Sequence, residues 1–252
     1  MRSEIAVRLR LRHEPVAILF TDQKPEGAAE FVEGRWGCVV AMLTAAARGR
    51  TAVFSRRTTG CFGGGVGLGF GNRYTEFPGG IEYFLSTGAG EGFREGEGYK
   101  KTPALAKTFV DGLPITDLPF KYVVFKPLRE VAEEAAEGPD APRLVVFYAN
   151  PDQLSALVVL ANYGRPGGDN VIIPFGAGCH SICLIPWAEA QREMPRAVVG
   201  ITDISARPFV DPDILSFTVP LAMFKEMEAN VPGSFLDRHD WKKVEARLPQ
   251  PK

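Results

Sequence analysis

The sequence predicts an α/β (or α+β) fold: a single globular domain over 1–252, made of two pseudo-symmetric lobes from an internal duplication, with mixed sheets and packed helices. Three observations predict it. Short β-branched runs alternate with longer helical patterns. The same order of elements occurs in both halves of the chain. Finally, 45% of the 252 residues are apolar, enough to bury a full core without disulfide or metal staples.

The first lobe, 1–129, opens with a helical segment near Ser3 to Leu9, followed by the strand EPVAILF (14–20). A helix in WGCVVAMLTAAARG (36–49) starts near Cys38 and stops at Gly49; the strand TAVFS (51–55) and the tripeptide TGC (59–61) follow. The second lobe, 143–252, repeats this order as RLVVFYA (143–149), DQLSALVVLANYG (152–164), NVIIPF (170–175) and AGC (177–179). KYVVFKPL (121–128) and ILSFTVPL (214–221) then echo each other. Cys61 to Pro127 spans 66 positions and Cys179 to Pro220 only 41, so the glycine-rich, charged segment 86–102 is expected to be an insertion in the first copy.

The second of these helices has the clearest ends. Asn150 can cap it, Pro151 suits the first helical position, and Gly164 can end it in the left-handed conformation. FKEMEANV (224–231), stopped by Pro232, predicts another helix. GIEYFLST (80–87), KYVVF and AVVGIT (197–202) have strand composition between turn residues. EVAEEAAEGPDAP (130–142) is expected to be the surface link between the lobes.

Twenty-nine basic residues against thirty acidic leave a net charge of −1, so no global field draws this chain to nucleic acid or an anionic membrane. The apolar stretches 38–47 and 154–161 fall far short of the roughly 20 residues of a membrane span. MRSEIAVRLRLRHEP scatters arginines where a secretory signal needs an apolar run. A cytoplasmic protein is expected, with neither nucleic acid nor membrane as partner; a small-molecule ligand and a homo-oligomer are both compatible. Four cysteines without an export signal are read as free thiols or metal ligands.

TTGCFGGGVGLGFG (58–71) is the segment most open to chemistry. A dinucleotide fingerprint needs glycine at 70 or 72, where Phe70 and Asn72 stand, and a phosphate loop needs a Gly-Lys pair that occurs nowhere. No nucleotide-binding motif is present. The run is expected to be either a tight, bulged strand or a bare wall beside Cys61, with Gly63, Gly64 and Gly65 the candidates for close approach to a ligand.

Cys38, Cys61, Cys179 and Cys183 match no local metal signature, since C-x2-C pairs are absent and C-x3-C stands alone. Four thiolates converging from distant positions could still hold an iron–sulfur cluster or another metal. Cys61, Cys179 and the adjacent His180 are the candidate catalytic groups, because a neighbouring imidazole can activate a thiol. Asn150, Gln153 and Arg207 are candidate polar contacts for a small organic anion, Arg207 through its planar fork and within a polar run that also holds Asp203, Asp211 and Asp213. Three readings stay open: a redox or sulfur-related metal protein, an anion-binding protein or enzyme with a reactive cysteine, and a scaffold whose cysteines only pack.

EPVAILF, the pattern GC…A…G…TGCFGGG…LGFG and NPDQLSAL…YG…GC together resemble domain-of-unknown-function family 169, over roughly Val7 to Phe224. The resemblance implies a cytoplasmic α/β protein frequent in anaerobes, with cysteines matching Cys38, Cys61 and Cys179. It implies no reaction. CHSIC (179–183) departs from the pattern, which makes Cys183 the least secure ligand.

Overall fold

The computed structural model describes residues 1–88, 95–138 and 141–248; the middle of the 86–102 segment and part of the 130–142 link lie outside them. Seven strands form one mixed sheet: β1 (Val16–Thr21), β2 (Ala52–Ser55), β3 (Tyr122–Pro127), β4 (Leu144–Ala149), β5 (Val171–Ile172), β6 (Ala197–Gly200) and β7 (Leu215–Pro220). Their order is β2-β3-β1-β4-β7-β6-β5. Every neighbouring pair is antiparallel except β5 with β6.

Both faces of the sheet are covered, so its central strands are apolar at nearly every position. On β1, Val16, Ile18 and Phe20 join one core cluster while Ala17 and Leu19 pack into the other. Helices α1 (Glu4–Arg8), α6 (Pro151–Tyr163), α8 (Leu221–Ala229) and α9 (His239–Glu245) close one face. Helices α2 (Val39–Ala47) and α7 (Ile185–Ala190), with a π-helical turn at His180–Leu184, close the other. Phe20, Phe54, Phe125, Phe147 and Phe217 are fully buried, each contributing about 1.5–3 kcal/mol relative to exposure.

A third cluster lies outside the two faces. It is formed by α3 (Phe62–Gly67), α4 (Ile81–Phe84) and α5 (Pro103–Asp111), which the chain inserts between β2 and β3. Two expectations are corrected there. The glycine run is a helix and not a bulged strand, and 80–87 holds the helix α4 and not a strand.

Why a helix forms in so glycine-rich a segment is a matter of contact. A Cβ on Gly67 would lie 2.6 Å from Cys179 Cβ, and one on Gly64 would lie 2.5 Å from the Thr59 carbonyl oxygen. Tertiary packing overrides the poor helix propensity of glycine, about 1 kcal/mol per residue.

The internal duplication is not confirmed. β1 and β4 are antiparallel neighbours at the sheet centre, so a rotation exchanging the halves would run perpendicular to the sheet and keep each face on its own side. Yet α2 packs on one face and α6 on the other. At the edges the order also differs: β2 lies directly beside β3, whereas β6 stands between β5 and β7, their counterparts in the second half.

Candidate functional site

A cleft of about 990 Å³ opens between the inserted lobe and the face closed by α2. Three of the four cysteines line it: Cys38, Cys61 and Cys179. Each arrives by a different route. Cys38 precedes α2, Cys61 caps α3, and Cys179 precedes the π-helical turn. The Gly64 N–H donates to Cys61 Sγ at 3.1 Å, while Cys179 Sγ donates to the Gly63 carbonyl oxygen at 2.8 Å. Two thiols are thereby held against the first turn of the glycine helix.

Burial pushes all three thiols above their ordinary range, and the negative charge of Asp203 adds to the effect. They are therefore neutral thiols near pH 7, and thiolate chemistry here needs a base, a cation or a metal to draw off the proton. Asp203 is buried at the cleft wall and accepts four hydrogen bonds: from Gly178 N, Ser205 N, Ser205 Oγ and Tyr99 Oη, at 2.9 to 3.1 Å. Tyr99 belongs to the inserted lobe, so this carboxylate ties that lobe to the sheet. Burial, with Asp203 second, pushes the Tyr99 phenol up to about 12.

His180 Nε2 lies 2.8 Å from Tyr74 Oη. Desolvation lowers the imidazole to about 4, so it is neutral at physiological pH. Burial pushes the Tyr74 phenol well up, with the thiols of Cys179 and Cys61 acting in the same direction. Around this floor runs an aromatic wall of Phe62, Phe77, Phe84, Phe109, Phe175 and Phe209. Trp36, 72% exposed, stands at the mouth against Phe209.

Of the residues singled out in the sequence, Cys38, Cys61, Gly63, Cys179 and His180 line the cleft. Others serve the fold. Gly64 and Gly65 are buried in helix packing against Thr59 and Arg73. Asn150 and Gln153 form the reciprocal cap of α6 on the far face, and Gln153 Nε2 donates to the carbonyls of Leu9 and Arg10. Arg207 spends its guanidinium on the backbone carbonyls of Ile201, Asp211, Pro212 and Ile214. Asp211 and Asp213 pair with Arg12. Cys183 points into the core, where burial alone pushes its thiol up.

Among the described residues, no group of three or more His, Cys, Asp or Glu side chains is placed to hold a metal ion. Nor does any described helix have the length and apolarity to cross a membrane. Tyr74, Tyr99, Trp36 and the phenylalanine wall have no spacing signal in the sequence. Asp203 and Ser205 both stood in the polar run 200–217 that the sequence marked.

Fold and site together define a mixed α/β protein with an aromatic, thiol-floored cleft between a sheet face and an inserted helical lobe. The chain belongs to domain-of-unknown-function family 169, described as uncharacterised ArCR, whose profile matches residues 4–230. No curated protein and no solved structure matches it.

Proposed function

We propose that this protein binds a small organic molecule with a largely apolar, aromatic body and an acidic group, seated on the phenylalanine wall above the cysteines. The observation that carries the reading is the cleft itself. Its 990 Å³ falls at the upper end of the roughly 300–1,000 Å³ of small-molecule sites, which are mainly apolar with a few convergent polar groups. The polar groups favour an acid. Four arginines line it against Glu33, Glu97 and Asp203, a surplus of one positive charge. Arg56, Arg57 and Arg73 are paired with Asp117, Glu33 and Glu76, whereas Arg35 has no ion-pair partner among the described residues.

The test is a titration with 6-isopropyl-2-naphthoate, followed by Trp36 fluorescence with Trp36→Phe as control. Saturable one-to-one binding, weakened by Arg35→Glu and slowing alkylation of Cys61, supports the reading. Absence of saturable binding, or alkylation unchanged by the naphthoate, removes it.

A second reading, a redox or sulfur-related protein holding an iron–sulfur cluster or another metal, rests on one observation, that Cys38, Cys61 and Cys179 share a single cleft, although the described residues do not bring three such side chains together around one ion. Cys183 takes no part in it. Iron and acid-labile sulfide in anaerobically purified protein, lost together on Cys61→Ser, would support this reading, and metal-free protein under those conditions would remove it.

A further inference from the structure

His180 Nδ1 is buried and without a hydrogen-bond partner among the described residues; it faces Gly176, where a Cβ would lie 3.2 Å away. A neutral imidazole carries one N–H and one lone pair. A buried orphan N–H is rare and costly, whereas an unused acceptor is tolerated more readily. The proton therefore sits on Nε2, the nitrogen 2.8 Å from Tyr74 Oη, and the imidazole donates to the phenol. The Tyr74 hydroxyl is left with its own proton and no second partner among the described residues, in a side chain that lines the cleft.

We infer that the Tyr74 hydroxyl donates to a carbonyl oxygen on the apolar body of the ligand, and that His180 is a positioning residue directing that proton into the cleft. The inference rests on the cleft reading above. A neutral acceptor suits this hydroxyl, because the groups that act on the phenol are the thiols of Cys179 and Cys61 and the carboxylate of Asp203. A second carboxylate there would face Asp203. Arg35, which lines the cleft without an ion-pair partner among the described residues, takes the acid.

The experiment compares 6-acetyl-2-naphthoate with 6-isopropyl-2-naphthoate, which is of similar size and lacks the carbonyl. The wild type binds the ketone about 10-fold more tightly, one good hydrogen bond's worth, and Tyr74→Phe abolishes the difference between the two compounds. Infrared spectroscopy of the ketone bound to the wild type shows the carbonyl stretch below its value in an apolar solvent, a readout that does not depend on any variant folding. His180→Gln, which keeps an N–H donor, retains that shift, and His180→Leu reduces it. Equal affinity for the two compounds in the wild type, an unshifted stretch, or a shift that survives Tyr74→Phe overturns the inference while the cleft reading stands. If neither compound binds, the cleft reading falls and takes this one with it.

Discussion

A Cβ added to Gly67 would sit 2.6 Å from Cys179 Cβ and 2.8 Å from its carbonyl carbon. The glycine helix and the π turn touch backbone to backbone at this point, and their contact holds two of the three cleft thiols. Gly67→Ala gains about 1 kcal/mol of helix propensity but introduces a clash with atoms that cannot rotate away. Overpacking of this kind costs about 1–3 kcal/mol, so the clash wins. Urea denaturation of the variant is expected to show a net loss of stability, together with faster alkylation of Cys179.

The α6 cap is expected to act on stability alone. Gln153 is 2% exposed and makes three hydrogen bonds to backbone groups. Gln153→Ala strands those groups and costs about 2–4 kcal/mol, while Asn150→Ala costs about 1 kcal/mol. Naphthoate affinity, measured below the denaturation range, stays at the wild-type value for both.

The thiols report their surroundings through alkylation rates. Their folded pKa values lie above the ordinary value of 9.0, so less thiolate is present near neutral pH than in a free cysteine. Iodoacetamide is expected to label every cysteine more slowly than it labels glutathione, half-buried Cys38 and Cys61 ahead of buried Cys179 and Cys183. Rates climb as pH rises past 9.0. A thiol labelled faster than glutathione at neutral pH would contradict this, and mass spectrometry of the digested protein identifies which one.

His180 makes the fold acid-sensitive. Its pKa falls from 6.5 unfolded to about 4 folded, so the unfolded chain binds the extra proton between those values. The stability it contributes is fully present above pH 6.5 and is lost as the pH falls through about 4, a change of about 3 kcal/mol. Chemical denaturation from pH 7 to pH 4 is expected to give a shallower stability loss in His180→Gln than in the wild type.

Local signals marked much of the frame. Asn150, Pro151 and Gly164 delimit α6 by chemistry confined to the helix ends, and runs such as VVFYA and FTVP become central strands because both sheet faces are covered. The family, too, was legible in short motifs, and the profile match over 4–230 shows it. Where the reading went astray, the deciding contact lay far along the chain. Glycines at 63, 64 and 65 are helical because of what packs on them. Residues 81–84 form a helix because Ile81 and Phe84 turn toward one cluster with Val66 and Val110. Gln153 bonds the backbone of Leu9, Arg10 and Asn150, and Arg207 bonds carbonyls four to seven positions away; sequence records a side chain's polar atoms and not these partners.

By itself, then, the sequence determined where most strands and the capped helix lie, because periodicity and end chemistry act within a few residues. Only the tertiary structure decided that α2 and α6 take opposite faces, that Cys38, Cys61 and Cys179 meet without Cys183, and that Tyr74 reaches His180 across 106 positions. Those outcomes depend on which surfaces become buried against one another, and burial is a property of the packed chain, not of any segment within it.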